Sequence, residues 1–202
     1  MTNQLIDKKK ELILKTAREL LAKNGFAKTT LDDIAAALGM KKSSLYYYYT
    51  NKDALLDDVM KNEEDNFFSS ICQVLNHSDT AIEKIINYEK AKFEYIKETI
   101  KLHEMSTNII LEFKGKLIQH IKNIHAKEID LIKKILDESI KKKEIKKCDT
   151  KKVAELILTL SEALRHRELY FASFTVSKTV DFSNALDEMI FAVKLIFDGL
   201  KV

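Results

Sequence analysis

The stretch from Thr29 to Asp53 reads TTLDDIAAALGMKKSSLYYYYTNKD and decides the fold. Thr30 and Asp33 stand three residues apart, which is the spacing of a capping box, where each side chain bonds the other residue's backbone amide. A short helix is therefore predicted from Thr30, and Gly39 ends it after about two turns. A brief turn then leads to a second short helix, predicted over residues 42–48. Two short helices in close succession are the central prediction from this stretch.

A longer helix precedes this pair and another follows it. Over residues 5–24 apolar side chains recur at helical spacing, and Asn24-Gly25 supplies a residue that accepts the left-handed backbone of a helix end. The segment Thr50-Asn51-Lys52-Asp53 offers another capping box, which predicts the start of a fourth helix. Two short helices joined by a glycine-containing turn, after a longer helix, form a helix-turn-helix. We therefore assign residues 1–50 to a three-helix domain of this kind.

The second short helix has the chemistry of a surface for a polyanion. Between residues 40 and 52 there are three lysines, four tyrosines, two serines and no acidic residue. Lysines neutralise phosphates, hydroxyl groups donate to phosphate oxygens, and tyrosine rings pack on sugars or thymine methyl groups. Consecutive tyrosines cover all sides of a helix, so they cannot all be core residues. We expect Leu45 and Tyr49 to face the core. At least two of the remaining three tyrosines should face outward, namely Tyr46, Tyr47 and Tyr48.

This stretch resembles the amino-terminal signature of the TetR family of transcriptional regulators. The resemblance covers about residues 8–60, includes the Asn24-Gly25-Phe26 turn, and implies a recognition helix that enters the major groove of double-stranded operator DNA. The positions that match recognition positions of the family are Lys41, Lys42, Ser43, Ser44, Tyr46, Tyr47 and Tyr48. Thr30 and Lys52 match phosphate contacts of the family. Plain helix capping and a solvated lysine remain the alternatives for these two residues.

The chain departs from the commoner family pattern at two positions. Lys41 stands where a capping serine is usual, so the helix start loses a side-chain cap and gains a positive charge. Tyr49 stands where phenylalanine is usual, which puts a hydroxyl near the core. That hydroxyl must find a hydrogen-bond partner or reach the surface.

The rest of the chain is predicted to be a larger helical domain over residues 51–202. Proline is absent and there are only four glycines, so long stretches can run as uninterrupted helix. Amphipathic segments at residues 79–102, 104–113, 116–143, 149–174 and 182–200 bring the all-α fold to about nine helices. The resemblance implies that this domain senses a ligand and dimerises, with the last two helices of each subunit in a four-helix bundle. A homodimer also suits DNA reading, since one recognition helix covers too few base pairs and a two-fold pair reads a palindrome.

The second domain offers a set of aromatic and apolar residues with a few polar tips for an effector. The set comprises Tyr88, Tyr95, Met105, Phe113, Leu117, His120, His166, Tyr170 and Phe174. This composition suits a hydrophobic small molecule, although each residue taken singly can equally belong to a core. The resemblance implies a repressor that the effector releases from a palindromic operator, while the residues themselves do not determine whether transcription is repressed or activated.

Composition and motifs argue against several other classes of protein. There is no signal-peptide segment and no apolar window of membrane-spanning length, so we expect a cytoplasmic protein without membrane contact, with Cys72 and Cys148 as reduced thiols. The five histidines lack a metal-binding spacing, and no phosphate loop or nucleophile elbow is present. No metal, cofactor or enzymatic activity is therefore predicted. Two alternatives stay open: a helical adaptor that contacts protein, and a non-specific DNA-binding protein without a ligand.

Overall fold

The computed structural model describes residues 2–25, 28–76, 78–102, 114–174 and 180–202, and these ranges are almost entirely helical. Eight helices run within them: α1 (Thr2–Asn24), α2 (Leu31–Ala37), α3 (Lys42–Tyr48), α4 (Lys52–Leu75), α5 (Ala81–Leu102), α6 (Lys114–Lys141), α7 (Thr150–Ala172) and α8 (Ser183–Leu200). The predicted all-α fold is confirmed. The helix predicted over residues 104–113 lies outside the described residues.

Local capping sets the ends of the two short helices. The Thr30 hydroxyl accepts a hydrogen bond from the Asp33 amide at 3.1 Å, and the Asp33 carboxylate accepts one from the Thr30 amide at 2.8 Å, which completes the predicted capping box. Gly39 follows α2 with a φ of 62°, a left-handed backbone that favours glycine. Lys41 precedes α3 without a side-chain cap hydrogen bond, as expected from its position. The turn between α2 and α3 therefore depends on Gly39.

The capping residue of α4 is Asn51, one residue after Thr50, the first residue of the predicted capping box. The Asn51 carboxamide accepts a hydrogen bond from the Ala54 amide at 2.8 Å, and the helix begins at Lys52. Asparagine caps helices at least as well as threonine. The predicted helix start is thus found, with asparagine as its capping side chain.

The chain folds into two compact units. The first comprises residues 1–66 and 102–120 and the second residues 67–101 and 121–202, each in its described part. The boundary that the sequence suggests at residue 50 lies before α4, whereas α4 continues from the first unit into the second. Each unit has its own hydrophobic core.

The core of the first unit holds α2 and α3 against α1 and the start of α4. Leu45 contributes from α3, and Tyr49 follows that helix directly. The other buried members are Ile13, Leu14, Ala17, Leu31, Ile34, Ala35, Leu55 and Val59. On each helix these residues recur three or four positions apart, so one face is buried and the opposite face is left to solvent.

The second unit buries a larger core, to which all of its helices contribute. Fully buried members include Ile85, Tyr88, Ile132, Leu136, Ile157, Leu158 and Met189. Helix α8 packs against α7, and the Lys146 amide donates to the Leu200 carbonyl at 2.7 Å. This bond ties the end of α8 to the segment that precedes α7.

Two further expectations concern the membrane and the cysteines. Within the described ranges, no helix combines the length and the apolar character that a bilayer span requires. Cys72 is exposed and Cys148 is half-buried, and both are free cysteines.

Candidate nucleic-acid interface and a buried polar cluster

Helix α3 is anchored through one face only. Leu45 is fully buried in the core of the first unit, and Tyr49, four residues later, is 4% exposed. These are the two residues that were expected to face the core. Their burial fixes the rotation of α3 and therefore decides which side chains point to solvent.

The unusual hydroxyl of Tyr49 has a partner. It donates to the Asp58 carboxylate on α4 at 3.1 Å, and the same carboxylate lies 2.7 Å from the Lys10 ammonium on α1. Burial, together with the Asp58 charge, raises the pKa of Tyr49, while the Lys10 hydrogen bond lowers the pKa of Asp58. The hydroxyl thus links the end of α3 to two neighbouring helices, and the departure from phenylalanine is accommodated.

The other tyrosines of α3 differ in exposure. Tyr47 is 83% exposed and Tyr46 is 41% exposed, whereas Tyr48 is half-buried against the core. The rings of Tyr47 and Tyr48 meet edge to face, with centroids 5.6 Å apart. Two of the three tyrosines therefore face outward, as expected.

The lysines and serines at the start of α3 are exposed. Lys41, Ser43 and Ser44 all lie at the surface. Lys42 is also exposed, but its ammonium lies 2.6 Å from the Asp32 carboxylate on α2. The hydrogen bond to Asp32 raises the pKa of Lys42. The charge of Lys42 is therefore already paired before any phosphate arrives.

Thr30 and Lys52 both take part in the structure of the helix starts. The Thr30 amide is bonded to Asp33, whose pKa is lowered by the hydrogen bond from the Thr30 hydroxyl. The Lys52 ammonium donates to the backbone carbonyl of Thr29 at 2.9 Å. A contact of either residue with phosphate stays a prediction, since each already has a bonding role within the protein.

The residues predicted for an effector are placed in different surroundings. Tyr88 is buried and Tyr95 is half-buried against Phe67, with ring centroids 5.2 Å apart, both in the second unit. His120 belongs to the first unit, 3.6 Å from Glu64.

The remaining predicted effector residues divide into two groups. The first group lies on the exposed surface at the end of α7 and comprises His166, Tyr170 and Phe174. The second comprises Met105 and Phe113, outside the described residues, and Leu117, of which only the helical backbone is described. The described members of the set thus differ in burial and are divided between the two units, and their role stays a prediction.

A group of buried polar side chains lies inside the second unit. We call it the buried polar cluster: Tyr88, Glu89 and Lys92 on α5, Glu128 on α6, and Ser161 on α7. Oε1 of Glu128 accepts hydrogen bonds from the Tyr88 hydroxyl and lies 2.7 Å from the Lys92 ammonium. The Ser161 hydroxyl donates to Oε2 of Glu89 at 2.6 Å. The cluster joins three helices through charged and neutral hydrogen bonds.

Burial dominates the electrostatics of Glu89. Desolvation raises the pKa of Glu89 to about 7, although the Lys92 charge and the Ser161 hydrogen bond oppose that rise. Oε1 of Glu89 is buried and has no hydrogen-bond partner. A buried acceptor without a hydrogen-bond partner lowers the stability of the fold, so this oxygen can still accept a hydrogen bond from a bound group.

This cluster was not predicted from the sequence. Its signal was present: Glu89 and Lys92 occupy the same side of α5 as Ile85 and Phe93, at positions where an amphipathic helix carries apolar residues. Charged residues on a buried face are rare unless they are paired. The pairing partner, Glu128, is distant in sequence and cannot be identified by local spacing.

Comparisons with known proteins agree with the helix-turn-helix geometry. Residues 13–59 match the family model described as "Bacterial regulatory proteins, tetR family". No curated protein matches the chain significantly.

Solved structures of similar fold cover nearly the whole chain. A transcriptional regulator from Cytophaga hutchinsonii is 24% identical, with a TM-score of 0.75 over 95% of this chain and 98% of that one. A TetR transcription regulator from Haloarcula marismortui is 17% identical, with a TM-score of 0.73 over 97% and 100%. The fatty acid degradation regulator FadR from Bacillus halodurans is 18% identical, with a TM-score of 0.69 over 92% and 94%. Residues 13–59 therefore carry the amino-terminal domain of the tetR family of bacterial regulatory proteins, and the chain as a whole has the fold of these solved regulators.

Proposed function

We propose that this protein is a homodimeric transcriptional repressor that reads a palindromic operator with α3. The observation that carries the proposal is the outward face of α3, where Tyr47 is 83% exposed beside serines and lysines. No acidic residue lies between residues 40 and 52. Such a face can approach base edges closely and place hydroxyl groups and ammonium groups on phosphates.

The contacts divide into positioning and reading roles. Ser43, Ser44, Tyr46 and Tyr47 are the candidates for base edges and thymine methyl groups, because they occupy the exposed side of α3. The candidates for phosphate contacts are Thr30, Lys41, Lys42, Tyr48 and Lys52. Lys42 must exchange Asp32 for a phosphate oxygen, since its ammonium lies 2.6 Å from that carboxylate.

A second copy of the chain is the proposed partner at α7 and α8. Large apolar side chains lie exposed on both helices: Leu156 (56%) and Tyr170 (62%) on α7, Phe191 (62%) and Leu195 (55%) on α8. Exposed apolar surface of this kind is typical of an interface. A two-fold pair would present two copies of α3 to half-sites about 34–36 Å apart, or a multiple of this spacing, as a palindromic operator requires.

A hydrophobic small molecule is the proposed effector. The second unit has the apolar and aromatic interior that such a ligand needs, with Tyr88 and Tyr95 among its residues. The FadR protein of similar fold is described as a fatty acid degradation regulator, which is in keeping with an apolar ligand. Release from the operator then requires that the effector bind the DNA-free form more tightly than the DNA-bound form.

The DNA proposal is tested by selection from random-sequence duplexes, followed by fluorescence anisotropy on the selected sequence. Tyr47→Ala should weaken binding at least about fivefold, because an exposed ring at the groove is lost while the fold is retained. Tyr47→Phe separates the hydroxyl from the ring, and Lys134→Ala, an exposed lysine on α6, serves as the matched control. Circular dichroism confirms that each variant is folded.

The same experiment distinguishes the two alternatives. A helical adaptor should enrich no sequence and bind no duplex. A non-specific DNA-binding protein should bind the selected and the random duplexes alike. Either result, or equal affinity of parent and Tyr47→Ala, would refute the role of α3.

Sedimentation velocity tests the dimer. Phe191→Glu should shift the protein from dimer to monomer, because a charge on a buried interface carries a large desolvation cost. Leu12→Glu is the control, since Leu12 is a comparably exposed apolar residue (53%) in the first unit. A parent protein that sediments as a monomer, or a Phe191→Glu variant that stays dimeric, would contradict this interface.

A further inference from the structure

A histidine and a second glutamate meet Glu128 at the edge of the buried polar cluster. His125 and Glu128 lie three residues apart on α6, and Glu162 faces them from α7. Their ligand atoms all lie within 4.8 Å of one another. We propose that His125, Glu128 and Glu162 form a binding site for a divalent first-row transition-metal ion in the second unit. The site is independent of the DNA proposal.

The spacing of the donor atoms suits a single ion. His125 Nδ1 and Glu162 Oε1 are 3.0 Å apart. Two neighbouring ligands with bonds of about 2.0–2.2 Å to one ion are separated by roughly 3 Å, so this pair already has the required spacing. Residues three apart on a helix share a face, which lets Glu128 approach the same point as His125.

The Glu128 carboxylate is held in orientation by a hydrogen bond and an ion pair. The Tyr88 hydroxyl donates to its Oε1 atom, the Lys92 ammonium lies 2.7 Å from the same atom, and the Glu128 side chain is only 4% exposed. A carboxylate has a second oxygen, so these bonds can persist while the other oxygen binds the ion. Partners of this kind orient metal ligands and raise metal affinity.

A further buried carboxylate, Glu89, lies close enough to Glu128 for their charges to interact. It is fully buried, its Oε2 is bonded to Ser161, next in sequence to Glu162, and its Oε1 has no hydrogen-bond partner. A hydrated cation brings water molecules whose O–H groups can donate to such an oxygen. Glu89, Glu128 and Glu162 place three carboxylates in this region. Two positively charged side chains, Lys92 and Arg165, interact with them.

The solvent exposure of the site and the chemistry of its donor atoms indicate which class of metal ion it suits. The side chains of His125 and Glu162 are each 33% exposed, so an ion can reach them from solvent and retain some of its water. One imidazole nitrogen and two carboxylates suit Zn²⁺, Co²⁺ or Mn²⁺, whereas a site without imidazole would favour Mg²⁺ or Ca²⁺. No thiolate belongs to the group.

The test is a Co²⁺ titration followed by visible absorption and by thermal unfolding. The protein carries Cys72→Ser and Cys148→Ser, so that thiolates cannot capture the ion. We expect one Co²⁺ per chain, visible d–d bands, and a higher melting temperature. His125→Ala and Glu162→Gln should each weaken Co²⁺ binding by at least about tenfold, since loss of even an orienting partner costs that much.

Glu155→Gln is the matched control on α7. Its carboxylate pairs with Lys151 at 3.7 Å on the protein surface, outside the three-residue group, so Co²⁺ affinity should be unchanged. Circular dichroism of the apo variants checks that they fold. The proposal is overturned if the parent binds no Co²⁺ at micromolar concentration, or if His125→Ala and Glu162→Gln bind it as tightly as the parent.

Discussion

Replacement of Lys92 by methionine is the most direct test of the energetics inside the second unit. The Lys92 ammonium and the Glu128 carboxylate are 2.7 Å apart, and each side chain is 4% exposed. Methionine keeps most of the length of lysine and removes the charge. The Glu128 carboxylate then keeps its hydrogen bond from Tyr88 but loses its counter-ion in a buried environment.

The magnitude follows from the distance and the burial. At an effective dielectric constant of about 20, two unit charges at this separation attract by about 6 kcal/mol. Removal of lysine also removes the cost of burying its charge, so the net loss is smaller, about 3–5 kcal/mol of the free energy of unfolding. That is a large fraction of the total stability of a typical domain.

Urea denaturation at pH 7.5 in the presence of EDTA, followed by circular dichroism, measures this loss without a contribution from metal. The double variant Lys92→Met/Glu128→Gln should recover most of it, because a neutral amide still accepts from Tyr88 and needs no counter-ion. Lys133→Met is the matched control: Lys133 is also 2.7 Å from its partner, Asp137, but the side chains of that pair are 42% and 36% exposed, so the urea midpoint should move much less. A loss below about 1 kcal/mol for Lys92→Met, or a double variant no more stable than the single one, would refute the reasoning.

Three further predictions concern other buried or strained positions. Leu45→Ala should lower the free energy of unfolding of the first unit by about 2–5 kcal/mol, because Leu45 is fully buried; a urea midpoint equal to that of the parent would contradict its core role. Gly39→Ala should cost about 1–2 kcal/mol in the same assay, since φ is 62°, and no cost would mean that the turn relaxes. Burial raises the pKa of Glu89 from 4.5 to about 7, so the folded protein holds a proton that the unfolded chain releases. Stability should therefore fall as pH rises from about 4.5 through 7, and Glu89→Gln should remove that slope and exceed the parent at pH 8 by roughly 3 kcal/mol; identical pH profiles of the two proteins would exclude this assignment.

The helix-turn-helix could be predicted from sequence because its determinants are local. The Thr30 capping box, the glycine at position 39 and the uncapped Lys41 act within a few residues of one another, and all three are found as expected. The burial of Leu45 and Tyr49 followed from their spacing, since residues four apart share a helix face. Local rules were sufficient here because the ends and the buried faces of α2 and α3 are set within a few residues of sequence.

The features that were missed depend on contacts between residues distant in sequence. Asp32, ten residues before Lys42, pairs with it only because the turn at Gly39 folds α2 against α3. Glu128 contacts Tyr88 and Lys92, which lie 40 and 36 residues earlier in the sequence. Helical periodicity identifies the face on which a residue lies, but it does not identify the residue on the opposite helix. Effector-binding residues cannot be identified from local sequence for the same reason, because a cavity is lined by residues from several helices.

The pairing of Lys42 with Asp32 has a consequence for how a regulator would search a genome. A lysine that stays paired with an internal counter-ion neutralises no phosphate, so at arbitrary DNA it would release fewer of the cations condensed on the duplex, and weak encounters would gain less entropy from it. Separation of the Lys42 ammonium from the Asp32 carboxylate costs free energy. Enough additional contact to offset that cost would form only where α3 fits the groove closely. Under the proposed function, the aspartate on the neighbouring helix would weaken binding to random sites more than binding to the correct one, and would sharpen discrimination without touching a base.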